Sequence, residues 1–439
     1  MKKNNRKKTV QFCTRACCRL LCGRHAAEQG VGHSSMKKLL SLFLACLFFA
    51  LCMTGCDDVP PPSYYDDLPD AYNAETDFPT QFGVRTPMPP VMPAENGYYV
   101  KCGDWIYFVD KETLAAQLVC NRPECRHWDE TCSAYFKGRN DLFQYYNGKL
   151  YIDCVDQDDE GHETVNLYAF SPDDCTREKV CQLPYGLGSG SWYYVIHRGY
   201  LYMYSGSGEK IKLERVALSE LSEKSLSPEL LYESDSSFAF APYYLGNHVM
   251  FTKWDGNSGQ QINTLVDVNL KTLEANEFLL PDMKKGDNAF VNTVQDHYFI
   301  IAMGDGSHPP EEYIYEMTYY TYDCQTGEIK KLIHFPDRGE NIFSTLQCDG
   351  ENLMDFYIDL YGTADPLDQS ISILDENGEV FRSMPLDFLV DGACGGDADY
   401  SFIGSDVQDP LVLYAIDKRD GKMELKEVLR MPNSEAFLW

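Results

Sequence analysis

Basic residues are scarce in this chain. Of its 439 residues, 38 are Lys or Arg against 67 Asp or Glu, a formal charge of −29. Phosphate binding needs a basic face, so nucleic acid is excluded as the default partner. A membrane-spanning run is also missing. The longest apolar stretch, Leu39 to Met53, is broken only by Ser41 and falls short of the ~20 residues a span requires. Motif chemistry is missing too. There is no Gly-x-Ser-x-Gly nucleophile elbow, no His-Glu-x-x-His helix and no phosphate-binding glycine loop. His162-Glu163 has Asn166 where the second histidine would stand.

What is present is unevenly spread. Residues 1–35 carry eight basic residues, one acid and four cysteines, with no hydrophobic period. A second pattern starts at Met36-Lys37-Lys38, continues through the apolar run and ends in Met53-Thr54-Gly55-Cys56. A short basic region, an apolar region and small residues before a cleavage point are the parts of a secretory signal peptide. Residues 36–55 are therefore read as the signal and residues 1–35 as an extension upstream of the true start at Met36. An ordinary cleaved signal and a transmembrane anchor are the alternatives. The tetrapeptide ending at Cys56 resembles the lipobox of bacterial lipoproteins. That resemblance implies lipid attachment at Cys56, an extracytoplasmic location and a membrane partner through the lipid. Two acyl chains anchor stably where one does not.

Removing residues 1–55 takes away ten basic residues and one acid, leaving 28 against 66, a charge of −38 over 384 residues. Ten cysteines remain besides Cys56: 102, 120, 125, 132, 154, 175, 181, 324, 348 and 394. Residues 56–96 are acidic and rich in proline, with Pro60-Pro61-Pro62 and Pro89-Pro90 among them. Such sequence favours extended chain, so it reads as a tether.

Residues 97–439 repeat with a period near 50. Tyrosine pairs at 98–99, 145–146, 193–194 and 243–244 step by 47, 48 and 50 residues, each followed by a turn and an apolar strand. Weaker copies follow at Val294 to Ile301, Leu346 to Phe356 and Tyr400 to Ile403. Downstream in the units, strands end in Asp or Asn and a polar turn, as in Tyr320-Thr321-Tyr322-Asp323 with Thr326-Gly327. Asn-Gly and Asp-Gly supply the positive φ that tight hairpins need. Residues 97–431 give seven units of about 48 residues, which is the length of a four-stranded propeller blade. The fold class is therefore all-β, a β-propeller of seven four-stranded blades, with six or eight as alternative counts. A string of β-sandwiches does not predict one period over this length. Phe437-Leu438-Trp439 is a candidate closing strand beside residues 82–86.

The strand pattern of Trp105 to Asp110 is similar to the propeller domain of low-density-lipoprotein receptors, which also occurs in bacterial surface proteins. The chain departs from that pattern in lacking Tyr-Trp-Thr-Asp, so no molecular activity follows.

One segment is chemically dense. Residues 120–132 hold Cys120, Cys125, His127 and Cys132. The run Cys-x-Arg-Pro-x-Cys-x-His resembles a segment of lipoproteins of anaerobic Gram-positive bacteria. Three readings stay open: zinc held by three cysteines and a histidine, a disulfide stapling the crossing between blades, or redox-active free thiols. Cys175 and Cys181 flank a hairpin and are a candidate cross-hairpin disulfide. Asp153, Asp156, Asp158, Asp159 and Glu160 read as a solvated loop. An EF-hand loop from Asp156 would need Glu at its twelfth position, which is Leu167. His197, His248, His297 and His308 read as structural. No catalytic residue can be nominated.

Two function classes follow. The first is a monomeric surface module binding a protein, peptide or glycan. The second is a secreted polysaccharide hydrolase or lyase. The lack of motif chemistry favours the first.

Overall fold

A computed structural model describes residues 65, 67–77 and 90–431, apart from 128–129, 138–141, 158–160, 185–191, 207–209, 223–225, 237, 240, 255–262, 285, 305–315, 337–341, 349–351, 360–369, 376, 387, 389, 391 and 406–410. Cys56, the signal segment, His308 and the candidate closing strand lie outside these residues. Among the described residues no helix is long and apolar enough to cross a membrane.

The chain forms seven antiparallel sheets in sequence order. Blade 1 holds β1 (Val91–Ala94), β2 (Gly97–Cys102), β3 (Trp105–Asp110) and β4 (Ala116–Leu118). Blade 2 holds β5 (Phe143–Tyr146), β6 (Lys149–Gln157), β7 (Glu163–Ser171) and β8 (Thr176–Gln182). Blade 3 holds β9 (Trp192–His197), β10 (Tyr200–Ser205), β11 (Ile211–Ala217) and β12 (Glu229–Ser234). Blade 4 holds β13 (Phe238–Ala239), β14 (Tyr243–Leu245), β15 (His248–Trp254), β16 (Asn263–Asn269) and β17 (Ala275–Phe278). Both β13 and β14 pair with β15, forming one inner strand interrupted near Pro242, which has no N–H for the ladder. Blade 5 holds β18 (Asn288–Gln295), β19 (Tyr298–Gly304), β20 (Met317–Asp323) and β21 (Ile329–Phe335). Blade 6 holds β22 (Ile342–Cys348), β23 (Leu353–Asp359), β24 (Ser370–Leu374) and β25 (Val380–Pro385). Blade 7 holds β26 (Gly392–Gly396), β27 (Tyr400–Ser405), β28 (Leu411–Asp417) and β29 (Glu424–Met431).

The tyrosine pairs explain why the blades stack. Successive side chains of a strand face opposite sides of its sheet. Tyr98 packs toward blade 7 with Tyr400 and Phe402, whereas Tyr99 packs toward blade 2 with Phe143 and Leu150. Tyr194 fills the junction of blades 2 and 3, and Tyr193 that of blades 3 and 4. Tyr244 and Tyr243 divide in the same way around blade 4. Blades 5 and 6 meet through Ile300, Tyr319 and Leu346, and blades 6 and 7 through Phe356, Ile371 and Ile403. Each blade is thus buried on both faces, and the junction of blades 7 and 1 closes the ring. A buried Phe such as Phe251 or Phe299 contributes about 1.5–3 kcal/mol.

The segment expected to be a tether divides differently. Residues 91–94 are the innermost strand of blade 1, where Pro93 sits on a sheet edge and its missing N–H costs no ladder bond. Tyr65 and residues 67–77 form a strap across the turns between the first and second strands of blades 2 to 5. Tyr65 is buried against Gly199, and its hydroxyl accepts a hydrogen bond from Tyr146 Oη at 2.7 Å. Arg198 Nη2 donates to the Pro69 and Ala71 carbonyls at 2.8 and 3.3 Å. Asp70 Oδ1 accepts from the Asn247 backbone N–H at 3.0 Å and from its side-chain amide at 2.6 Å. Tyr72 N–H donates to the Asp296 carbonyl at 2.7 Å. Asp77 pairs with Arg198 at 2.8 Å, both groups being buried.

Candidate functional site at the junction of the first two blades

The connection between blades 1 and 2, residues 119–142, is the longest between consecutive blades. It is woven into both sheets. Ile106 N–H donates to the Ala134 carbonyl at 3.0 Å, and Phe136 N–H donates to the Asp104 carbonyl at 2.7 Å. Val155 N–H of β6 donates to the Lys137 carbonyl at 3.0 Å. Phe136 is buried edge-on to Phe170, with their ring centres 5.3 Å apart, and Arg177 caps its other side at 5.5 Å.

This weave gathers the cysteine–histidine segment. The ligand atoms of Cys120, Cys125, His127 and Cys132 all lie within 4.8 Å of one another, and His127 Nδ1 is 3.4 Å from Cys132 Sγ. Cys132 is fully buried and the other three are half-buried. Burial pushes the Cys120 thiol up, but the Ser133 hydroxyl, the Arg122 backbone and the other two thiols outweigh it and bring it down to about 6. Burial pushes the Cys132 thiol up to about 12. Such an asymmetric thiol set is suited to metal ligation or to thiol exchange.

Beside the cluster lies a cavity of about 620 Å³, within the range of small-ligand sites. Glu130 and Tyr135 of the connection, with Lys137, line one part. Asp156 of β6, Tyr168 of β7 and Arg177 of β8 line another. Tyr168 Oη donates to Asp156 Oδ2 at 2.7 Å, and Arg177 Nη1 donates to the Tyr135 carbonyl at 3.1 Å. The carboxylate raises the Tyr168 phenol further above the level set by burial, so it remains a hydroxyl donor. The site thus offers cations, carboxylates, hydroxyls and aromatic faces to one polar ligand. Beneath it Lys101 is buried, and burial lowers its pKa against the opposing charges of Asp153 and Asp104.

The chain resembles solved structures in fold. An oligogalacturonate lyase from Vibrio parahaemolyticus is 11% identical with a TM-score of 0.46, over 80% of this chain and 93% of that one. TolB from Acinetobacter baumannii is 14% identical with a TM-score of 0.35, over 78% of each chain. An acylaminoacyl peptidase from Pyrococcus horikoshii is 13% identical with a TM-score of 0.44, over 64% of this chain and 44% of that one. The chain spans less than half of that peptidase's length. No protein-family model matches the chain, and no curated protein does. Activity must therefore be read from this chain's own residues.

Two sequence expectations change. Cys175 and Cys181 do not face each other. Cys175, with φ of 55°, belongs to the turn and packs toward blade 1, whereas Cys181 is opposite Leu167 on β7 and packs toward blade 3. Neither forms a disulfide. Asp153 is not in a solvated loop: it is fully buried on β6, where its Oδ1 accepts the Leu142 N–H at 3.0 Å. His197 and His248 have structural partners. His197 Nε2 lies 2.7 Å from the Gly246 carbonyl, and His248 Nδ1 lies 2.9 Å from Asp267. The cavity escaped the sequence reading because its walls come from one connection and three strands. The strap escaped because the turns it crosses lie about 80 to 225 residues further along the chain, and several of its bonds run through backbone carbonyls, which carry no residue signature.

Proposed function

We propose that the protein is a lipid-anchored extracytoplasmic binding module, a bacterial surface propeller that takes up a protein, peptide or glycan. In this reading Cys56 carries the lipid, residues 36–55 are the signal peptide and the propeller is of the low-density-lipoprotein-receptor-like kind. The resemblance of residues 53–56 to the lipobox of bacterial lipoproteins, and of residues 120–127 to a segment of Gram-positive lipoproteins, supports that address.

The observation that carries the reading is the opposed placement of strap and cavity. Tyr65 stands nine residues after Cys56, a reach of about 30 Å at full extension. The strap fastens to the turn end of blade 2. The cavity wall at Asp156 and Gln157 lies at the other end of β6, nine residues along. A lipid on Cys56 would draw the strapped turns toward the membrane and leave the cavity open to ligand.

Palmitate-analogue labelling in a Gram-positive host tests the anchor. Wild type should label and fractionate with membranes, and Cys56→Ser should do neither. Unchanged labelling of that variant would overturn the lipid site. Glycan and peptide arrays probed with the mature protein test the ligand class, and Arg177→Ala should weaken any hit. Release of shortened products from a polysaccharide panel would overturn the binding reading in favour of a hydrolase or lyase.

A further inference from the structure

The loop over residues 120–132 is closed on one residue of β3. Val119 N–H donates to the Ile106 carbonyl at 3.0 Å, and Ile106 N–H donates to the Ala134 carbonyl at 3.0 Å. Between these two fixed ends the described residues of the loop bury little apolar surface. Asn121, Arg122, Pro123, Glu124, Arg126 and Thr131 are exposed. The side chains that converge are three thiols and an imidazole. Among the described residues hydrophobic burial gives this loop little reason to hold one shape, and a bound metal supplies such a reason in small folds.

The spacing of the four ligand atoms is compact enough for a tetrahedral site. With metal–sulfur bonds of about 2.3 Å and metal–nitrogen bonds of about 2.0–2.1 Å, a tetrahedron has sulfur–sulfur edges of about 3.8 Å and sulfur–nitrogen edges of about 3.6 Å. Here all four ligand atoms fall within 4.8 Å of one another, and His127 Nδ1 to Cys132 Sγ is 3.4 Å. His127 also adopts φ of 55°, a left-handed backbone that non-glycine residues rarely take. Such strain persists where the surroundings fix it, and here it accompanies an imidazole turned onto the sulfur cluster. A disulfide would use two of the sulfurs and leave the third thiol and the imidazole unexplained. Soft sulfur donors also select against calcium and magnesium, which take oxygen ligands.

We propose that Cys120, Cys125, His127 and Cys132 bind one zinc ion in a closed structural site. Four protein ligands fill the tetrahedron, so the ion braces the loop and does not act on substrate. Because Glu130 and Tyr135 line the cavity from this loop and its return, the ion also holds that wall in place.

Elemental analysis of the full chain, purified under reducing conditions, should give about one zinc per chain. The thiols of residues 120, 125 and 132 should resist alkylation until a strong chelator is added. Cys120→Ser and Cys132→Ser should lose the zinc, while Cys175→Ser and Cys181→Ser keep it. Should the ligand variants fail to fold, cobalt(II) exchanged into the wild type should give the visible bands of a tetrahedral thiolate site, and His127→Cys should retain one zinc. Wild type free of zinc with a linked Cys120–Cys132 peptide would overturn the proposal. So would zinc retained by both serine ligand variants, or cobalt without tetrahedral bands.

Discussion

Tyr98 of blade 1 donates a hydrogen bond of 2.9 Å to Asp397 of blade 7, so one carboxylate joins the two ends of the ring. Lys111 Nζ reaches the same oxygen at 2.7 Å and also pairs with Asp399 at 2.9 Å. Lys418 Nζ donates to the Asp397 backbone carbonyl at 2.5 Å. The closure therefore rests on packing of Tyr98 with Phe402 plus this polar clasp. Burial pushes the Asp397 carboxyl up, but Lys111, Tyr98 and two backbone N–H groups together hold it below the usual range.

Asp397→Asn should cost about 1–3 kcal/mol at neutral pH, since it leaves Lys111 facing an amide in a half-buried place. The sign of the pH effect follows from the lowered pKa. The stabilisation is present above the unfolded value of about 3.9 and is lost as pH falls through the folded one. The gap between the denaturant midpoints of wild type and variant should be full at pH 7 and should narrow progressively as pH falls below about 3.9. A gap that stays constant over that range would mean the clasp acts by packing alone.

The propeller was legible because its signal is repeated and local. Each tyrosine pair lies on a strand, strand alternation sends one ring to each neighbouring blade, and the next turn marks the period. The first strand was not legible. Val91–Ala94 contains Pro93 and follows Pro89-Pro90, so its composition resembles the segment before it. Only its place at the inner edge of a sheet makes the proline tolerable.

Gly246→Ala should detach part of the strap. Gly246 has φ of 60°, and a Cβ there would meet the Asp70 Cα at 2.6 Å. Gly148 is the matched control, with φ of 76° and open space around the position. Gly148→Ala should cost only the left-handed backbone penalty of about 1–2 kcal/mol. Gly246→Ala should cost more and should expose residues 65–77 to limited proteolysis. Equal proteolysis of both variants would show that the strap does not depend on this close approach.

Arg198→Ala tests the same strap through charge. Arg198 Nε holds Asp77 Oδ1, and its Nη2 reaches both the Pro69 and Ala71 carbonyls. Removing it leaves a buried carboxylate without its cation, a loss of about 3–5 kcal/mol where the structure cannot relax. Here the strap can peel away, so the loss should appear locally. Hydrogen exchange at the Tyr72 and Asp77 amides should accelerate at least tenfold, while the amides of β23 and β24 in blade 6 keep their protection. Uniform acceleration across the blades would instead indicate global destabilisation.

The site was legible only where its parts are close in sequence. Cys120, Cys125, His127 and Cys132 drew notice because they crowd one stretch, although the sequence left zinc, disulfide and free thiol open. Asp153 was misjudged because a run of acids reads as solvent-facing. On β6 that run instead begins inside the sheet, and Asp153 is enclosed while Asp156 turns to Tyr168. Arg177 and Tyr168 carried no signal, since their partners lie on the connection before blade 2 and on β6.

The strap should also loosen in mild acid. His197 is fully buried, and burial lowers its pKa despite the opposing charge of Asp77, with Arg198 adding to the lowering. Its Nδ1 is 4.0 Å from Asp77 Oδ1, and its ring packs on Tyr202 and Tyr244. Below the unfolded value of about 6.5 the unfolded chain binds this proton and the folded chain resists it, so stability falls as pH drops from there. His248 works in the opposite sense: although burial lowers its pKa, Asp267 raises it on balance, and its contribution is fully present below about 6.5 and lost at higher pH. A His248→Asn background removes that opposing effect. In it, exchange at residues 65–77, corrected for intrinsic rates, should speed up between pH 7 and pH 5. Adding His197→Gln should flatten the dependence, because the amide can still donate to the Gly246 carbonyl but takes up no proton. An undiminished pH dependence in the double variant would assign the acid sensitivity of the strap to another group.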